Sequence, residues 1–144
     1  VSADSRVRPE LATTEEGAAR IGRALWRDRQ HGHFFFSARR DAERDLGLEP
    51  HALDKPAETA GARATAGAFA AFCADVTGAV EQLETELAAA AKSDPTPYPP
   101  RAFADLAHDA AKGAADTPYT PESRYRSAVR AAAWCFLLAK DAGR

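Results

Sequence analysis

Between Ala57 and Lys92 the chain contains no proline, and from Ala64 to Ala74 it carries no charge. This stretch reads as one long helix, or as two broken at a glycine. Its uncharged half is mostly alanine, with Gly67, Phe69, Phe72 and Cys73 among the rest. A helix with almost no polar face belongs in the interior, so this one is expected to run through the middle of the molecule. Phe69, Phe72, Val76, Val80, Leu83 and Leu87 step by three or four residues, a coiled-coil-like stripe. Glu81, Gln82, Glu84 and Glu86 fall away from that stripe. A second feature, Ala62, Ala66, Ala70, Ala74 and Gly78, is a ridge of small residues at four-residue spacing, which lets another helix approach closely. The first half of the stretch is therefore expected to touch neighbours on two sides.

Around this helix the expected fold is all-α: an antiparallel bundle of about five helices with the long helix 3 at its centre. Alanine, the strongest helix former, makes up about a quarter of the chain, which favours close packing through small side chains. Residues 1–12 are charged and aperiodic and read as a flexible N-terminal arm; 13–144 read as a single domain. Thr13 and Glu16 have capping-box spacing and mark the start of helix 1, whose inner face is Ala18, Ile21 and Leu25. Gly17 and Gly22 allow a close neighbour there. Helix 2 is expected over Phe34 to Leu46, ending at Gly47 and bringing Phe34, Phe35 and Phe36 to the core. The proline-rich segment from Ser93 to Pro100 ends helix 3. Helix 4 covers Pro100 to Ala115, with Phe103, Leu106, Ala107 and Ala110 inward. Thr120, Pro121 and Glu122 form a strong helix start. The last helix then carries two apolar stripes: Tyr125, Ala128, Val129, Ala132, Cys135, Phe136 and Ala139 on one side, and Trp134, Leu137 and Leu138 roughly opposite.

The formal net charge of −2 over 144 residues gives no electrostatic case for nucleic acid or for an anionic membrane. Val1 to Glu10 has no apolar core of the signal-peptide type, and the longest apolar run, Ala131 to Ala139, is too short to span a bilayer. A cytoplasmic protein without a membrane segment is expected, and the Ala, Arg and Asp bias without Met reads as a high-GC bacterial gene. Cys73 and Cys135 fall on apolar helical positions and are expected as buried free thiols.

Residues that could carry chemistry are scattered. His31 and His33 lack the further ligands that a metal site needs, and Asp105 with His108 is an isolated one-turn pair, so no metal and no cofactor are expected. Arg124, Arg126 and Arg130 could hold an anion near a helix N-terminus, and Arg130 could stack on Trp134. Trp26, Phe34, Phe35, Phe69 and Phe72 could line an aromatic pocket for a small ligand. Arg27-Asp28 followed by His33 has the Arg-polar-x-x-x-x-His form of the HEPN superfamily ribonucleases, and the segment from Ser123 to Trp134 resembles a core helix of those proteins. That resemblance implies RNA cleavage across a dimer interface, with Arg27 holding the phosphate and His33 doing acid–base work. The leading expectation is instead an interaction module without catalysis. Its contacts with a protein partner or a second copy would run through Trp134, Leu137, Leu138 and Arg130, with the Ala62–Gly78 ridge as a further surface, because the apolar surface exceeds what five one-faced helices need.

Overall fold

The computed structural model describes residues 14–32, 35–45, 60–93, 100–115 and 120–142, apart from the side chains of 45, 60–66 and 100–102. The N-terminal arm, His33, Phe34 and Gly47 lie outside the described residues. Five helices pack together with no strand among the described residues: α1 (Glu15–His31), α2 (Phe36–Asp45), α3 (Ala60–Ser93), α4 (Pro100–Ala115) and α5 (Pro121–Ala142). None of them is long and apolar enough to cross a membrane.

The caps explain where the helices begin and end. Thr14, rather than Thr13, starts α1: its Oγ1 accepts the Gly17 N–H at 3.0 Å. Glu15 and Glu16 then occupy the first turn, where carboxylates oppose the positive end of the helix dipole. Gly32 closes α1 with φ 68°, the left-handed geometry that glycine adopts without strain, and its N–H turns back to Arg29. At α5, the Ser123 N–H reaches Thr120 Oγ1 at 3.1 Å, the expected cap.

α3 is one continuous helix of 34 residues, unbroken at Gly67 and Gly78. Its stripe from Phe69 to Leu83 is buried, with Phe72, Cys73 and Val76 fully so. The uncharged half is nevertheless not enclosed. Gly67, Ala70, Ala71, Ala74 and Gly78 are exposed, and a Cβ added at Gly67 or Gly78 would meet no neighbouring atom within 4 Å.

The surrounded helix is α5, which packs against α1, α3 and α4. Ala128, Ala131, Ala132 and Ala133 have no exposure at all. These small side chains let helices close in on α5 from several sides, the role expected for α3. Trp134 and Leu137, expected on an intermolecular surface, are buried inside the chain. Trp134 stacks on Phe103 of α4, with ring centroids 5.7 Å apart. Leu138 is half-buried and Arg130 is exposed. Trp134, the largest side chain of that second stripe, is thus covered by α4.

Helix directions follow from the contacts. Phe103 meets Trp134 and Gly113 meets Ser127, so α4 and α5 are antiparallel. Tyr125 meets Phe72 and Asp75, while Lys140 meets Glu84, so α3 and α5 run the same way. This is what an antiparallel bundle entails for alternate helices: α4 intervenes in sequence and returns the chain to the end from which α3 started.

α2 is shorter than expected at its start. Only Phe35 of its aromatic run contributes to the described core, half-buried, while Phe36 is 47% exposed. Ala38 and Ala42 form the inner face, and Phe36, two positions before Ala38, falls on the opposite side of the helix. There Arg40 lies over the Phe36 ring, 5.2 Å from its centroid.

Candidate functional site

A cleft of about 320 Å³ opens where α1, the start of α2, α3 and α5 converge, lined by Leu25, Asp28, Arg29, Phe35, Thr77, Val80, Glu81 and Phe136. Leu25 and Phe136 are buried on the helix faces that pack α1 against α5, and Val80 belongs to the α3 stripe. These three supply an apolar floor.

The wall at Phe35 is the unusual part. Phe35 has φ 61°, a left-handed backbone in a bulky residue. Such a conformation costs on the order of 1–3 kcal/mol and persists only where surrounding structure holds it. Phe35 occupies the cap position of α2, its carbonyl accepting the first helical bond from the Arg39 N–H at 3.0 Å. A phenyl ring cannot accept the remaining first-turn amides. Asp28, near the end of α1, does so from the neighbouring helix: Oδ1 accepts the Ser37 N–H at 2.8 Å and Oδ2 the Ala38 N–H at 3.1 Å. Asp28 is 2% exposed, and its negative charge faces the positive end of α2, where it is favoured. The cap thus comes from another helix, which leaves position 35 free to carry a ring into the cleft.

The other side of the cleft is held by ions. Arg29 lies over the Phe136 ring, 5.6 Å from its centroid, and reaches Glu84 Oε1 at 3.3 Å. Lys140 of α5 donates to the second Glu84 oxygen, so this carboxylate ties α1, α3 and α5 together. Partial burial alone would raise the Glu84 pKa. The hydrogen bond and charge of Lys140, followed by those of Arg29, outweigh it and hold the carboxyl below its ordinary 4.5. A folded-state pKa below the unfolded one adds stability above the unfolded value, and this is lost as pH falls through the folded value. Glu84→Gln is therefore expected to destabilise the protein at pH 7, and the gap between variant and wild type should narrow as the pH falls below the ordinary carboxyl value of 4.5. Urea unfolding across a pH series from 7 downward measures this; a gap that stays constant through the acid range would contradict the assignment. At the cleft mouth, the Thr77 hydroxyl donates to the Cys73 carbonyl at 3.0 Å, and the Glu81 side chain is exposed.

The residues singled out in the sequence are distributed as follows. Phe35 lines the cleft. Trp26 lies behind it, edge-on to Phe136 with centroids 5.6 Å apart. Phe69 and Phe72, expected in the same pocket, are fully enclosed core residues, since their stripe points into the bundle. Phe34 lies outside the described residues. Arg27 is exposed and pairs with Asp41 at 3.0 Å, away from the cleft lining. Its neighbour Asp28 is the residue that enters the site, and His33 lies outside the described residues. Arg126 and Arg130 are exposed and Arg124 is half-buried. Arg130 does not share the environment of Trp134, which turns inward to Phe103. His108 Nδ1 contacts Glu15 at 2.7 Å, linking α4 to the first turn of α1. Among the described residues no cluster of three or more His, Cys, Asp or Glu side chains is arranged to hold a metal ion. Cys73 and Cys135 are buried free thiols. Burial pushes Cys73 far up, and it carries Cys135 up to about 11.

The chain matches no protein-family model, no curated protein and no solved structure. Asp28, Arg29, Thr77, Val80 and Glu81 were not marked as site residues by the sequence. The one signal that could have found Asp28 was an acid close before a segment, Phe34-Phe35-Phe36, that offers no capping side chain of its own.

Proposed function

We propose that the protein is a small-molecule-binding helical bundle whose site is the cleft walled by Phe35. The observation that carries this reading is the left-handed Phe35 backbone, maintained beside a buried Asp28 at an apolar-floored cavity. Strained residues cluster at functional sites because folding alone gives no reason to keep them. The cavity volume lies at the lower end of the range for ligand sites, roughly 300–1,000 Å³, and suits a ligand of one or two rings. No catalytic role is assigned to the lining: Asp28 is occupied by two backbone amides, and Arg29 by Glu84.

The test is an aromatic fragment set titrated against ¹⁵N-labelled protein. Amide shifts should concentrate at Leu25, Phe35, Val80 and Phe136, and both Phe35→Ala and Phe35→Gly should abolish them. The two variants separate strain from binding. Glycine accepts φ 61° freely, so Phe35→Gly is expected to be more stable than Phe35→Ala by about 1 kcal/mol. Fragment shifts that survive in Phe35→Ala would sink the proposal.

A second reading keeps the expected interaction module on the ridge side of α3, one of its expected surfaces. With Trp134 and Leu137 buried in the chain, the uncovered small-residue face of α3 is what remains for a helix from a second copy to pack on. Glycine and alanine there permit close helix approach. Sedimentation across a concentration series tests it, with Ala71→Glu expected to reduce association; a wild type that stays monomeric throughout would exclude self-association by this face. The RNA-cleaving reading has no comparable support, since Arg27 is engaged with Asp41 outside the cleft.

A further inference from the structure

We infer that the ligand of this cleft is a monocation on an apolar body, an arylalkylamine in chemical class, with Glu81 as its ionic partner. The inference rests on the cleft being a ligand site and adds the sign of the ligand's charge. Three charged side chains line the cavity: Asp28, Arg29 and Glu81. Arg29 is the lone cation among them. Its guanidinium is already committed, lying over the Phe136 ring and bonded to Glu84, a carboxylate outside the lining. Each Asp28 oxygen already accepts a backbone N–H, so this carboxylate offers no free acceptor.

Glu81 differs from both. It stands exposed at the mouth, and no cation pairs with its carboxylate among the described residues. The Thr85 hydroxyl one turn later bonds the Glu81 backbone carbonyl and leaves the side chain available. A ligand whose ring rests on Leu25, Phe35, Val80 and Phe136 would carry its polar end toward the mouth, where Glu81 offers the open acceptor. An ammonium there gains a charge-assisted hydrogen bond, whereas a carboxylate meets two like charges and a guanidinium that must first leave Glu84.

Three probes of one shape decide it: 2-phenylethylamine, 2-phenylethanol and 3-phenylpropanoate, titrated into the ¹⁵N-labelled full chain at low salt. The amine should bind about fivefold more tightly than the alcohol, the worth of a partly exposed ion pair, and the carboxylate least tightly. Glu81→Gln should bring the amine to the level of the alcohol. Equal binding of all three, lost in Phe35→Ala, would overturn the charge assignment while leaving the cleft a ligand site. The same holds for an amine advantage that survives Glu81→Gln, or for preference for the carboxylate. No perturbation of the cleft amides by any probe would overturn the site reading together with the inference.

Discussion

Gly22→Ala lowers the stability of the bundle by about 2–3 kcal/mol, the cost of forcing extra volume into a filled contact. In an isolated helix the same change would add about 1 kcal/mol, because alanine is the better helix former. The sign is therefore informative. A Cβ at position 22 would lie 2.6 Å from the Phe136 backbone nitrogen and 2.7 Å from the Cys135 carbonyl carbon and Cβ. The first two of these atoms are main chain and cannot rotate aside, so α1 must move off α5. That motion would loosen the Trp26–Phe136 edge contact and the seat of Arg29 on Phe136, both of which depend on this approach. Gly67→Ala is the control: nothing stands within 4 Å of its added carbon, and a gain of about 0.5–1 kcal/mol is expected. Urea unfolding of the two variants beside the wild type gives both values. A Gly22→Ala protein as stable as the wild type would mean that α1 and α5 are not in this contact.

Asp28→Ala is expected to cost about 2–4 kcal/mol. Loss of a helix cap accounts for about 1–2 kcal/mol, and the rest comes from leaving the Ser37 and Ala38 amides without an acceptor beside the core. Asp28→Asn retains one acceptor oxygen and should lose roughly half as much. Hydrogen exchange locates the effect. The Ser37 and Ala38 amides should exchange faster in Asp28→Ala, whereas α4, which Asp28 does not contact through these bonds, should keep its protection. A destabilisation spread evenly over all five helices would indicate a general packing role for Asp28 instead of a cap supplied across helices. The substitution also bears on the site, because release of the α2 start removes what holds Phe35 at φ 61°.

Much of the architecture was legible because the relevant signals are local. Thr120-Pro121-Glu122 marks a helix start through chemistry within four residues, and the structure has that cap. The apolar stripes of α3, α4 and α5 follow helical periodicity, and Phe72, Val76, Phe103, Ala107, Ala128 and Phe136 are all buried. Gly22 was legible as a place of close approach. The cleft was less so. Phe35 was in view as an aromatic but with Phe69 and Phe72 as companions, because a ring count cannot separate a cavity wall from a filled core. Asp28 was in view only as the neighbour of Arg27, since its bonds to residues 37 and 38 depend on the turn between α1 and α2.

The sequence alone determined that the chain forms helices, where most of them start and stop, and which stripe of each is apolar. Those properties follow from 3.6-residue periodicity, capping side chains and the placement of glycine and proline. Only the tertiary structure decided which helix is surrounded. α3 and α5 both present alanine on more than one side, and alanine suits a close helix contact as well as a wet surface. The choice fell to α5 because it buries the large side chains of Leu137 and of Trp134, the latter stacked on Phe103 of α4, whereas the exposed Ala70, Ala71 and Ala74 of α3 have little apolar area to gain by burial. The cleft follows from that choice. It lies where α5 brings Phe136 against α1 and α3, and where Asp28 holds the start of α2 across the gap.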